Sequence, residues 1–137
     1  MAPLKQKGDL AELMIAADLR RRGYRIAFPY GEDCDYDLIV DRDGKLERVQ
    51  VKHVTSNGPR RARSMPLAVT HQRRVRATKR YTAATVDWMA VWDATTNAAY
   101  YVPSAVFDGH VEVTLRLRPT LNGQSRKIRQ AGRFLDI

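Results

Sequence analysis

Hydrophobic and polar residues alternate through much of the chain's second quarter, a pattern typical of β-strands with one buried face. Two such stretches, 36–41 and 46–54, flank Asp43-Gly44, a dipeptide that favours a two-residue hairpin turn. Because successive strand residues point to opposite sides, the pattern predicts a hairpin with one core face. That core face carries Leu38, Val40, Val49 and Val51.

Helical spacing of apolar residues predicts a first helix from about Asp9 to Arg22, ended by Gly23. Apolar residues lie on two sides of this helix, so we expect both sides to be buried. Glu12 shares one stripe with Ile15, Ala16 and Leu19. Two interpretations of Glu12 stay open. Asp9 and Glu12 have the spacing of a capping box, or Glu12 belongs to a functional site.

The remaining pattern predicts further strands over 24–28, 87–93, 99–102 and 111–117. It also predicts a helix from about Thr70 to Tyr81 and a short helix that begins at Pro103. A helix, a β meander, a second helix and more strands indicate a mixed α/β fold. We expect one domain, residues 1–137, with a mixed β-sheet flanked by helices.

Positive charge is unevenly distributed along the chain. There are 24 Lys and Arg against 15 Asp and Glu, a net charge of +9, which favours a polyanionic partner. No acidic residue lies between His53 and Val86. The basic residues there that we predict to contact DNA are Arg60, Arg61, Arg63, Arg73, Arg74, Arg76, Lys79 and Arg80. The alternative is a set of solvated basic faces.

Several classes of protein are excluded or disfavoured by composition. Cys34 is the only cysteine, which rules out an intrachain disulfide and a zinc finger. The sequence has no charged-then-apolar leader and no apolar run of membrane-spanning length. We therefore expect a cytoplasmic, nucleoid-associated protein without a membrane partner.

The polar face of the hairpin carries candidate chemistry. With a two-residue turn, Asp37 lies opposite Gln50, and Lys52 is one diagonal step away on the same face. A carboxylate and an amide oxygen are ligands suited to Mg²⁺, and a nearby lysine can orient or help to deprotonate an attacking water. The alternative is an ordinary Asp–Lys pair on the protein surface.

The assignment of the acid depends on the register of the hairpin. A slip of one residue would turn these side chains to the other face. Under a shifted register Asp35 could replace Asp37, and Asp33 and Asp41 are further acids nearby. His53 points away from the polar face in a regular strand.

The stretch KGDLAELMIAADLRRRGYRIAFPYGEDCDYDLIVDRDGKLERVQVKH resembles the N-terminal half of a PD-(D/E)XK nuclease. It is most similar to the branch that includes endonucleases associated with group I introns, and it also resembles archaeal-type Holliday junction resolvases. The resemblance implies a restriction-endonuclease-like core. It also implies metal ligation by Asp37 and Gln50, Lys52 as the catalytic lysine and Glu12 as a supporting acid.

The resemblance has two departures. Tyr36 stands where the family often has proline, and Gln50 stands where most members have Asp or Glu. Since glutamine brings no negative charge, we expect weaker metal binding. The interpretation is an endonuclease dependent on Mg²⁺ (or Mn²⁺) that hydrolyses double-stranded DNA, as a homodimer or homotetramer. The alternatives are a Holliday junction resolvase and a catalytically inactive nuclease-fold DNA-binding protein.

Overall fold

A mixed five-stranded sheet organises the protein. The structure, a computed structural model, describes residues 4–31, 33–55, 64–68, 70–74, 77–110, 112–116 and 129–137. Side chains are described for residues 5–31, 33–55, 81–110 and 129–137, and for Val113 and Leu115. The helices and strands are α1 (Leu4–Arg21), β1 (Arg25–Ala27), β2 (Leu38–Arg42), β3 (Lys45–Val54), β4 (Ser64–Ala68), β5 (Thr70–Arg74), β6 (Ala77–Arg80), β7 (Trp88–Asp93), β8 (Ala98–Pro103), α2 (Ser104–Phe107), β9 (Glu112–Arg116) and β10 (Arg129–Gln130), followed by a 3-10 helix (Ala131–Phe134).

The order of strands in the main sheet is β1-β2-β3-β7-β8. β3 and β7 are parallel, whereas the other neighbours are antiparallel. β4, β9 and β10 form a second sheet, and β5 and β6 form a two-stranded ribbon. The predicted mixed sheet with helices is therefore confirmed. None of the described helices is long and apolar enough to cross a membrane.

The hairpin of β2 and β3 has the predicted register. Asp43 and Gly44 both have positive φ, 55° and 88°, as a tight two-residue hairpin turn requires. Arg42 pairs with Lys45, and Leu38 pairs with Val49 at the other end. The pairs end there, and extending the same register by one step sets Asp37, not Asp35, opposite Gln50.

The two faces of the main sheet are covered differently. α1 packs on one face, against the predicted core side of the hairpin and part of β7 and β8. On the other face, Met89 and Val91 of β7 pack with Phe107 of α2 and Leu115 of β9. Because Gln50 and Lys52 are the β7 partners of Met89 and Val91, they lie on the face away from α1.

α1 ends as predicted but begins earlier. Gly23 has φ 92°, and the N–H groups of Gly23 and Tyr24 donate to the carbonyls of Arg20 and Leu19 at 3.0 and 3.1 Å, the bonds of a glycine-terminated helix. The helix starts at Leu4, so Asp9 lies inside it and is not its N-cap. The capping-box interpretation of Glu12 is therefore wrong.

Only one side of α1 is buried. Ala11, Ile15 and Leu19 are fully buried against the sheet, whereas Leu10 and Leu13 are 49% and 63% exposed. The expectation of two buried sides was wrong, because the sheet covers a single stripe of the helix. The confirmed stripe is the one that continues to Glu12.

The segment 64–80 differs most from its prediction. The expected helix over 70–81 is wrong, since β5 and β6 pair in antiparallel fashion there, Thr70 with Arg80. This segment has no apolar stripe at helical spacing, so packing cannot stabilise a helix in it. The strand β4, which pairs with β9, lies in a stretch for which the sequence pattern predicted neither a helix nor a strand.

Candidate active site

The site lies where β2 ends and β3 continues. Pairing between the two strands stops at Leu38 and Val49, but β3 runs on beside β7 to Val54. Just past the last pair, the Val51 N–H donates to Asp37 Oδ2 at 2.8 Å. The Asp37 N–H in turn donates to the Val49 carbonyl at 2.8 Å. These bonds hold the Asp37 carboxylate in the gap that β2 leaves.

Glu12 meets Asp37 in this gap. The two side chains are hydrogen-bonded, and burial together with the Asp37 charge raises the pKa of Glu12 to about 7. Burial also raises the pKa of Asp37, although the Val51 N–H, the bond from Glu12 and the Lys52 charge act in the opposite direction. The pair therefore favours a shared proton, which Glu12 releases at a pH close to neutral.

Lys52 approaches Asp37 from the other face of the sheet. Its Nζ lies 5.0 Å from the centroid of the Tyr81 ring, and Tyr81 is itself buried. Burial lowers the pKa of Lys52. The negative charge of Asp37 acts in the opposite direction and raises that pKa. Tyr81 is a site residue that the sequence did not predict. Its contact with Lys52 depends on two segments that are distant along the chain, and no local pattern marks it.

Gln50 is half-buried on the same side of the sheet as Lys52. Its amide nitrogen donates to the Val51 carbonyl at 3.3 Å, so the amide oxygen is the atom that would serve as a ligand. Register places Gln50 opposite Asp37. The structure thus brings Glu12, Asp37 and Lys52 together at one end of the hairpin, and Gln50 lies beside them on β3 with its side chain bonded to the Val51 carbonyl.

A cleft of about 310 Å³ opens beside the two carboxylates. The segment between β1 and β2 forms its wall, which the sequence analysis did not predict. The lining residues are Glu12, Phe28, Pro29, Gly31, Cys34, Tyr36 and Asp37. The cleft makes the carboxylate pair accessible to a ligand.

The donor atoms at this site fit a divalent cation such as Mg²⁺. Two carboxylates in contact are unfavourable without a proton or a cation between them, and a bound cation can take the place of the shared proton. Within the part of the chain that the structure describes, no group of three or more His, Cys, Asp or Glu could hold a metal. The residues that would hold a cation here are Glu12 and Asp37, which line the cleft, together with waters, and the Gln50 amide oxygen is the further ligand that the sequence predicts.

The other nearby candidates have separate roles. Asp41 Oδ1 accepts the Gly44 N–H at 2.9 Å and so belongs to the hairpin turn. Burial raises the pKa of the Tyr81 phenol, and the negative charges of Asp37 and Asp35 add to this rise. His53 pairs with Trp92 of β7 on the face that packs against α1, as its strand position predicts.

The predicted DNA-contacting residues fall in two groups. Arg73 and Arg74 lie in β5, and Lys79 and Arg80 lie in β6, where the structure describes the backbone. β6 ends at Arg80, immediately before Tyr81, so the ribbon joins the site through the chain. Outside the described residues are Arg60, Arg61, Arg63 and Arg76.

Comparisons with known proteins identify the family and the fold. The sequence profile of the PD-(D/E)XK endonuclease family matches residues 3–137, which confirms the resemblance. Protein 5.3 of Escherichia phage T7 is 35% identical over 49 residues, 36% of this chain and 42% of that protein, so the match spans less than half of this relative. The fold is similar to that of the bacterial homing endonuclease I-Ssp6803I, with a TM-score of 0.74 and 22% identity over 92% of this chain and 86% of that chain.

Proposed function

The chain belongs to the PD-(D/E)XK endonuclease family, and on that premise we propose that it is a metal-dependent endonuclease acting on double-stranded DNA. The observation that carries the proposal is that Glu12 and Asp37 line the same cleft, where the Val51 N–H holds Asp37, with Lys52 near enough to influence the Asp37 charge. Acids in contact at an accessible cleft are costly to maintain for structure alone, but they suit a site that binds a cation.

Each of these residues has a role in phosphodiester hydrolysis. Asp37, Gln50 and Glu12 would hold Mg²⁺ or Mn²⁺, which when bound stabilises the charge that develops on the phosphate oxygens. Lys52 orients the attacking water and offsets negative charge on the phosphate. The Val51 N–H and the Tyr81 ring keep Asp37 and Lys52 in place.

The partner we propose is duplex DNA. A net charge of +9 supports a polyanionic substrate, and a two-stranded ribbon is an element that fits the major groove. β5 and β6 form such a ribbon, which leads directly into the site at Tyr81. Since cutting both strands needs two active sites, we propose a homodimer or homotetramer.

The direct test is cleavage of supercoiled plasmid by the purified chain with Mg²⁺ or Mn²⁺. We expect cleavage that chelator abolishes and that Lys52→Ala reduces by roughly 100-fold or more. Lys45→Ala is the matched control, since Lys45 is an exposed lysine at the other end of the same strand. If the unaltered protein leaves plasmid intact, or cuts no better than Lys52→Ala, the proposal is wrong.

Assays on the same purified protein test two alternative functions. Faster cleavage of a four-way junction than of linear duplex would favour a Holliday junction resolvase. The second alternative is a catalytically inactive protein with a nuclease fold that binds DNA. It is favoured by the neutral amide of Gln50. That alternative predicts salt-sensitive binding that is independent of metal, with no cleavage.

A further inference from the structure

The segment that lines the active-site cleft between β1 and β2 carries exposed aromatic side chains. Phe28 lines the cleft and is 56% exposed, and Tyr30, two residues further on, is fully exposed. Pro29 has a restricted φ, and Gly31 has φ 105°, a conformation that side-chain-bearing residues rarely adopt. The backbone therefore defines a turn that presents two large aromatic side chains to solvent. We call residues 28–31 the aromatic rim.

The charges around the cleft limit what this rim can bind. None of the residues that line the cleft is basic, and Glu12 and Asp37 are acidic. The wall therefore cannot attract phosphates by its own charge. Aromatic rings instead offer flat apolar surface, which suits the face of a base or the carbon side of a sugar.

The position of the rim determines which part of a substrate it meets. A phosphate that reacts at the Glu12–Asp37 pair must enter the same cleft that Phe28 lines. The groups covalently attached to that phosphate are a sugar and its base. The surface next to the reacting phosphate is therefore occupied by a neighbouring nucleotide of the same strand.

We propose that Phe28 and Tyr30 contact the nucleotide adjacent to the scissile phosphate and pack against its base or sugar. This inference rests on the proposed function and specifies how the substrate strand is positioned at the carboxylates. The basic ribbon and the aromatic rim then contact different parts of the DNA. The ribbon supplies charge along the duplex, and the rim supplies apolar contact at the reacting strand.

The test measures the affinity of rim variants for a short mixed-sequence DNA duplex over a range of salt concentrations, with Mg²⁺ present. We expect Tyr30→Ala to weaken binding by roughly 10-fold, the size of the loss of one stacked base. Since no phosphate contact is removed, the slope of log affinity against log salt should stay unchanged. Tyr30→Trp should restore affinity, because a flat aromatic face is retained.

Leu46→Ala is the matched control, since Leu46 is an equally apolar, 67% exposed residue on the hairpin outside the cleft. Phe28→Ala adds a second rim position, and the melting temperature of each variant checks that it is folded. Affinity of Tyr30→Ala equal to that of the control overturns the inference. A reduced salt slope overturns it too, because the contact would then be to phosphate. Loss of self-association without loss of affinity would assign the rim to an interface between copies.

The assay separates this inference from the proposed function. If the unaltered protein binds and cuts DNA while Tyr30→Ala does the same equally well, only the role of the rim is wrong. If the unaltered protein binds duplex but never cuts, endonuclease activity is wrong, and the rim variants still report on strand contact. Absence of any binding overturns both.

Discussion

Two acidic sites along β3 differ in what faces the carboxylate. Asp87 faces Arg48, which donates from Nε and Nη2 to the two carboxylate oxygens at 2.9 and 3.0 Å. That pairing lowers the pKa of Asp87. Asp37, which precedes β2 and accepts the N–H of Val51 further along β3, faces another acid, Glu12, and the pKa of each is raised. The negative charge of Asp87 is balanced by an arginine of the protein itself. The negative charge of the Glu12–Asp37 pair is balanced by a proton or by a bound cation.

The buried acid at the hairpin turn follows the same rule as Asp87. Glu47 accepts hydrogen bonds from Arg42 Nε and, at 3.0 Å, from Trp88 Nε1. A cation and a donor thus satisfy it without any ligand. The comparison teaches that an acid with its own cation contributes to the fold, whereas acids in contact at a cleft indicate a binding site.

The largest effect is expected from breaking the acid pair. Asp37→Asn removes a ligand charge but keeps an oxygen that can accept the Val51 N–H. We expect Mg²⁺-dependent plasmid cleavage to fall by roughly 100- to 1,000-fold. The melting temperature without metal should stay the same or rise, because a buried carboxylate that faces another acid is gone.

Asp87→Asn is the matching substitution at the acid that is paired with an arginine. Its ion pair is partly exposed, so we expect a loss of about 1 kcal/mol in the free energy of unfolding and cleavage close to that of the unaltered protein. The comparison would be refuted if Asp37→Asn were destabilising and active, or if Asp87→Asn were stable and inactive.

An intermediate effect on catalysis is expected when the contact between Tyr81 and Lys52 is removed. Tyr81→Leu keeps an apolar side chain but removes the ring that lies 5.0 Å from Lys52 Nζ. We expect kcat to fall by about 10-fold with KM little changed, since the lysine loses its position and the DNA contacts stay. Steady-state kinetics below the melting temperature measures this.

Tyr81→Phe is the conservative variant, since it keeps the aromatic face and removes only the hydroxyl. It should restore kcat to near that of the unaltered protein. A phenylalanine variant as slow as the leucine variant would mean that the ring face is not what positions Lys52.

The smallest effect concerns pH and stability without metal. The pKa of Glu12 is about 7 in the folded protein and 4.5 in its ordinary state, so between these values the folded protein holds its proton more tightly than the unfolded chain does. The stability contributed by that proton is complete below the lower value and is lost as pH rises through about 7. Glu12→Gln does not titrate, so its melting temperature in chelator should fall less over this range.

Saturating Mg²⁺ should produce a similar flattening in the unaltered protein, because a bound cation competes with the proton. Parallel thermal melts of the two proteins at each pH isolate Glu12 from the other titrating groups. Equal pH dependence of the two proteins in chelator would contradict the shared proton.

Much of the hairpin could be predicted from the sequence, because its interactions are local. Asp43-Gly44 specifies a two-residue turn, and from that turn the opposition of Asp37 and Gln50 follows by counting. The ribbon of β5 and β6 could not be predicted in this way. Its residues carry no strong apolar period of either kind, and the pairing of the two strands decided their conformation.

The sequence by itself determined the strand alternation, the basic character and the family, since these depend on residue type and short-range spacing. Only the tertiary structure decided that Glu12 touches Asp37, that Tyr81 supports Lys52 and that an aromatic rim borders the cleft. Those contacts join a helix, a hairpin and two connecting segments whose separation along the chain carries no periodic signal. Packing on both faces of the sheet brings them together at the point where β2 ends.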